Sequence, residues 1–148
     1  MKLNKLAKKI HKANVEKGFY EDSECLEAVI KSHAPELLHV FNSMLMGQRI
    51  ALIQSEASEM LEADRHGKRF EILERYPDEW KENLLSTGDE NFKEVFKDVV
   101  KDTLEDELAD TIIRCLDTAG ANGIDIDFHV KAKLRYNSLR PKKHGKEF

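Results

Sequence analysis

Two stretches of this chain carry apolar residues at the three-and-four spacing of an α-helix for far longer than any strand runs, and this restricts the chain to helical architectures. From Pro35 to about Arg65 the expected inward stripe includes Ile50, Ile53, Ala57, Met60 and Leu61, with Gly67 just beyond the end. From about Asn91 to Ala121 it includes Leu104, Leu108, Ile112, Cys115 and Ala119, and Gly120 to Gly123 stop it. Shorter helices are expected from Leu3 to Lys17, closed by Gly18 as the residue after the cap, and from Glu24 to Ser32. A last helix carries Ile126, Val130 and Leu134, is capped by Asp125 or Asp127, and stops before Pro141. Period-two alternation, internal repeats and low-complexity tracts do not occur. The expected fold is therefore all-α, a helical bundle of four to six helices, oligomeric, with residues 1–148 as a single domain.

Between these patterns lies a weaker one. From about 68 to 89 the periodicity fades around Pro77, Trp80 and the turn signal Ser86-Thr87-Gly88-Asp89, which reads as a linking insertion with one short helix and the greatest mobility in the chain. The length of 148 residues with 41% hydrophobic content is enough for a core without disulfides or a structural metal. Cys25 and Cys115 stand apart from any metal-ligand spacing and read as reduced, packed thiols, which suits a cytoplasmic protein. No segment approaches the roughly 20 apolar residues of a membrane span, and the basic start Met1 to Leu6 has no continuous apolar run of the secretory kind. A net charge of −4 argues against binding a nucleic-acid polymer, which needs broad positive charge.

The charge is not evenly spread. Glu56 and Glu59 share one face of the first long helix, and Glu107 and Asp110 share one face of the second. Two facing helices that each offer two carboxylates supply the oxygen ligands a hard cation such as Mg²⁺ requires. In a chain this rich in acids, a lone ExxE pair is ordinarily solvated surface. Glu56 differs because Leu52, Ile53 and Met60 are its neighbours along the helix, which directs it to the core edge, where a charge needs a partner or a cation. Asp110 is followed four residues on by Arg114, which could simply pair with it. On the last helix Lys133, Asn137 and Arg140 share a face suited to gripping a triphosphate, although basic residues near a helix C-terminus also meet the macrodipole there.

The run Gln54 to Ala63, the run Glu105-Asp106-Glu107-Leu108-Ala109-Asp110, and the segment Lys133 to Pro141 followed by His144-Gly145-Lys146 together resemble the MazG-like all-α nucleoside triphosphate pyrophosphohydrolases. The resemblance covers about Gln48 to the C-terminus. It implies that Glu56, Glu59, Glu107 and Asp110 bind Mg²⁺, with Mn²⁺ able to substitute, and form the catalytic centre. It also implies that Lys133, Asn137 and Arg140, with Tyr136, hold the phosphates of a nucleoside or deoxynucleoside triphosphate, and that the protein is a homodimer or homotetramer. The chemistry it implies is in-line attack of a metal-activated water on the α-phosphorus, releasing pyrophosphate, with one of the four carboxylates as base. Two features depart from the family: Ser55 stands where many relatives carry an acid, which lowers the number of metal ions expected, and the stretch from Glu59 to Glu107 is longer than is common. Trp80 in that stretch could stack on a base or act as a packed anchor.

Two rivals belong to other classes. A di-iron carboxylate bundle needs two Glu-x-x-His elements, and only Glu36 to His39 fits. A non-catalytic helical interaction module would leave both acidic pairs as surface charge.

Overall fold

The computed structural model describes residues 2–70 and 78–141. Residues 71–77 of the expected insertion, including Pro77, and the basic tail beyond Pro141 with His144, Gly145 and Lys146 lie outside the described residues. All regular structure among the described residues is helical: α1 Leu3–Glu16, α2 Glu21–His33, a 3-10 turn Pro35–Leu37, α3 Leu38–Arg65, α4 Asp78–Ser86, α5 Asp89–Val95, a π-helical turn Phe96–Val100, α6 Leu104–Ala121 and α7 Ile126–Ser138. That is seven α-helices where the sequence suggested four to six. No helix among the described residues is long and apolar enough to cross a membrane.

The difference in number comes from 78–103. The expected short helix of the insertion is α4, and the expected continuous helix from Asn91 is two, α5 and α6, broken before Leu104. The break has a local cause. The Lys101 N–H reaches back five residues to the Phe96 carbonyl at 2.8 Å, which widens the helix, and Asp102 then takes a φ of 59° in the left-handed region that ends it. Thr103 starts α6 afresh: its hydroxyl accepts the Asp106 N–H at 3.2 Å, while the Asp106 carboxylate accepts the Asp102 N–H at 3.1 Å. This is a capping box shifted by one residue.

The helix ends follow the sequence closely. Phe19 N–H bonds to the Asn14 carbonyl, Lys68 to Ala63 and Ile124 to Ala119, and Gly18, Gly67 and Gly123 hold the positive φ that these Schellman closures require. Acids open α2 (Glu21, Asp22, Glu24) and Lys31 and His33 close it, both favourable to its dipole.

The chain forms two compact units, Met1–Met44 with Cys115–Phe148, and Leu45–Arg114. In the first, Ala7, Leu116 and Ala119 make the buried core, with Leu3, Ile10 and Ile126 packed against it. The small residues let α1 approach the end of α6 closely: a Cβ on Gly120 would lie 2.6 Å from the Ala7 carbonyl oxygen and 2.8 Å from the His11 Cβ. Polar groups lock the approach. Asp117 accepts the Tyr20 hydroxyl at 2.8 Å and faces His11 Nδ1 at 3.2 Å. Asp125 caps α7 by accepting the Phe128 N–H at 3.0 Å, and Asp127 instead caps α1, accepting the N–H groups of Leu3 and Asn4 at 3.4 and 3.1 Å. Asn4 answers by accepting the Asp127 N–H at 3.1 Å. The two acids left as alternatives for one cap therefore serve two helices.

In the second unit the segment after α3 is tied to the start of α6, with Leu104 N–H on the Lys68 carbonyl at 3.0 Å and Phe70 N–H on the Glu105 carboxylate at 2.8 Å. Trp80 lies against Phe70 with ring centroids 6.0 Å apart, the packed-anchor alternative. Cys25 and Cys115 are both exposed, contrary to the packed thiols expected. Cys115 lies on the apolar stripe of α6, which is covered only at its C-terminal end.

Gly120→Ala should lower stability by about 1–3 kcal/mol, because its methyl group meets backbone and not a flexible side chain. Urea unfolding followed by circular dichroism checks this, and a variant as stable as the parent would contradict the close approach of α1 to α6.

Candidate metal centre

The acids of α6 gather because of how that helix is turned. Starting at Thr103, it points Glu107, Asp110 and Arg114 inward at spacings of three and four, whereas Leu108 and Ile112, expected to face the core, are 43% and 49% exposed. On α3 the inward positions are Ile53, Glu56, Met60 and Ala63, with Ile50 and Leu61 outside. Glu56 therefore does sit at the core edge, its side chain 12% exposed.

Glu56, Glu59 and Glu107 each bring a carboxylate oxygen into one group in which all three oxygens lie within 4.8 Å of one another. Glu107 is buried, at 7% exposure, while Glu59 opens to solvent. Asp110, the fourth expected ligand, is outside that convergence but is near enough to feel it. Burial raises the pKa of Glu107, and the charges of Glu59, Asp106, Asp110 and Glu56 raise it further. Burial also raises Asp110, helped by Asp106 and Glu56, while the Arg114 guanidinium opposes the rise. Their acidic neighbours thus make Glu107 and Asp110 harder to ionise.

One cation is built into the cluster. Arg114 Nε donates to Glu56 Oε1 at 2.9 Å, joining α6 to α3. Sequence spacing offered Asp110 as a partner for Arg114, and Glu56 became visible only once the two helices faced each other. Thr103, Glu105 and Asp106 were also missed; the Thr103-Leu104-Glu105-Asp106 pattern was the available signal for the helix start. The Ser55 hydroxyl donates to Glu59 Oε1 at 3.3 Å and supplies no charge.

The donor set fits a hard divalent cation. Three carboxylate oxygens converge from two rigid helices, one carboxylate is open to solvent, and ionised oxygens are what Mg²⁺ or Mn²⁺ accepts while retaining water.

The basic residues belong to the other unit. On α7 and just past its end, Lys133 Nζ lies 5.4 Å and Arg140 Cζ 5.9 Å from the centre of the Tyr136 ring. Asn137 is half-buried beside them and the other three are exposed. The result is an open surface with two cations flanking one ring, a geometry able to receive phosphate oxygens.

Crowding fixes a pH dependence for the metal-free protein. Glu107 and Asp110 bind protons more tightly folded than unfolded, so stability should fall as pH rises from the ordinary carboxylate range through their raised values. Asp78, Asp102 and Asp125, whose hydrogen bonds from Lys81, Lys101 and Asn4 hold them low, act below the ordinary range, outside this window. In EDTA the melting temperature should drop as pH rises from the ordinary carboxylate range toward neutrality, and Glu107→Gln should reduce the drop. Melting curves across that range check it; a parent profile identical to that of Glu107→Gln would contradict the crowding.

No protein-family model, curated protein or solved structure matches this chain, so the arrangement of its own side chains carries the functional reading.

Proposed function

We propose that this protein hydrolyses a nucleoside or deoxynucleoside triphosphate to the monophosphate and pyrophosphate, dependent on Mg²⁺ with Mn²⁺ able to substitute, as a homodimer or homotetramer. The observation that carries the reading is the convergence of Glu56, Glu59 and Glu107 within 4.8 Å, with Glu107 buried. A buried carboxylate among like charges is costly, and a divalent ion would offset that cost. The resemblance in the three motif runs supplies the substrate class.

Glu56, Glu59 and Glu107 would hold Mg²⁺, which would supply positive charge to phosphate oxygens and make water more acidic. The chain supplies the rest. Water attacks the α-phosphorus, the bond to the bridging oxygen breaks, and pyrophosphate leaves with that bond's electrons. A carboxylate of the cluster takes the water's proton, and Asp110, outside the three-way convergence but close to it, is suited to that role. Lys133, Asn137 and Arg140, with Tyr136, are the residues that the resemblance assigns to the phosphates, and their side chains suit phosphate oxygens. The apolar stripe of α6 is buried at Leu116 and Ala119 but left uncovered at Leu108 and Ile112, and this supports burial against a second copy.

Pyrophosphate release from a panel of triphosphates with Mg²⁺ is the direct test. Glu56→Gln and Asp110→Asn should each lose roughly 100-fold or more in kcat/KM, while Lys133→Ala should lose less and mainly through KM. Release of orthophosphate by the parent, or full activity in either acid variant, would refute the reading. Light scattering at micromolar concentration should give a mass of two or four chains, and Ile112→Asp should shift it toward one; a monomeric parent would remove the oligomer.

A further inference from the structure

Arg114 lies where a carboxylate cluster built only to collect metal would have no use for it. Its Nε is 2.9 Å from Glu56 Oε1; the Glu56 side chain is 12% exposed, whereas that of Arg114 is 38% exposed, so the guanidinium reaches from the solvent edge onto a carboxylate at the core edge. The guanidinium also pulls against the acids around Asp110. It occupies one oxygen of the residue that is central to any ligand set here, since Glu56 belongs to the three-carboxylate group and Asp110 does not. Asp110 feels the charges of both Glu56 and Arg114, so a second divalent ion drawn to Asp110 would meet the guanidinium.

We propose that Arg114 is a positioning residue that acts as the permanent counter-cation of the centre, fixing Glu56 and restricting the cluster to a single divalent ion. This rests on the metal-centre reading above. Arg114 suits the role because a guanidinium keeps its charge at any physiological pH and donates in a fixed plane, so it orients one carboxylate oxygen while leaving the other for the metal. In the metal-free protein it offsets part of the repulsion among Glu56, Glu59, Glu107 and Asp110. With metal bound, it opposes entry of further positive charge.

Mn²⁺ binding to the full chain, counted by the electron paramagnetic resonance of the free ion, tests this without using activity. The parent should bind one Mn²⁺ per chain. Arg114→Gln should bind a second ion, or bind the first roughly tenfold more tightly, as expected when one repelling charge is removed at short range. It should also melt lower than the parent in EDTA and recover with Mn²⁺. Arg114→Lys, which keeps the charge, should return to one ion. Two ions in the parent or in Arg114→Lys would overturn the proposal, as would parent stoichiometry and affinity in Arg114→Gln, which would make Arg114 a packing residue only. Should Arg114→Gln fail to fold, Arg114→Met, which keeps the apolar stem without the charge, is counted in its place against the same outcomes. No Mn²⁺ bound by the parent would instead remove the metal centre itself, and this proposal with it.

Discussion

A buried glutamate among other acids is the constraint on which the second unit is organised. Glu107 loses hydration and faces Glu56 and Glu59 at short range, which is unfavourable for an ionised group. The arrangement persists because other parts of the unit hold it. The box at Asp102, Thr103 and Asp106 fixes where α6 begins, the bonds from Lys68 and Phe70 pin that start to the end of α3, and Arg114 ties the next turns of α6 to Glu56. A fold selected only for stability would place apolar residues there. The unit keeps the strained cluster, a pattern expected of sites that work on charge.

The rotation of α6 links this site to the surface. A helix that turns Glu107, Asp110 and Arg114 inward must turn Leu108 and Ile112 elsewhere, because the two sets lie on different faces of one rod. The same apolar stripe is buried farther along, where Leu116 and Ala119 meet α1. One helix thus contributes carboxylates and an uncovered apolar face to one unit and core to the other. The acid cluster's position dictates which apolar residues of α6 are left exposed.

The first unit is held differently. Its contacts are close and small, with Ala7, Ala119 and Gly120 allowing backbone-level approach, and its polar groups are paired. Asp117 takes both Tyr20 and His11, and the reciprocal caps of Asn4, Asp125 and Asp127 bind the start of α1 to the start of α7. α7 thereby has a fixed base from which Lys133, Tyr136 and Arg140 project.

Local physics was legible in the sequence. Helical periodicity identified the all-α class, and Gly18, Gly67 and Gly123 marked three helix ends because only a residue without a Cβ takes that conformation cheaply. The spacing of Glu56 with Glu59 and of Glu107 with Asp110, and the apolar surroundings of Glu56, pointed to the cluster because side chains three apart share a helix face whatever the tertiary fold. Periodicity could not reveal which stripe of α6 faces inward, since the apolar and acidic stripes are equally regular and the choice depends on what α3 presents opposite. It therefore placed Leu108, Ile112 and Cys115 inside, and it missed the interruption at Asp102, where a π turn left the apolar spacing intact while ending the helix. Tertiary structure alone decided that Arg114 pairs with Glu56, that Asp127 caps α1, and that three carboxylates converge while Asp110 remains beside them. Each of these joins residues more than forty positions apart, and such pairings are set by how helices pack, not by any local preference of the chain.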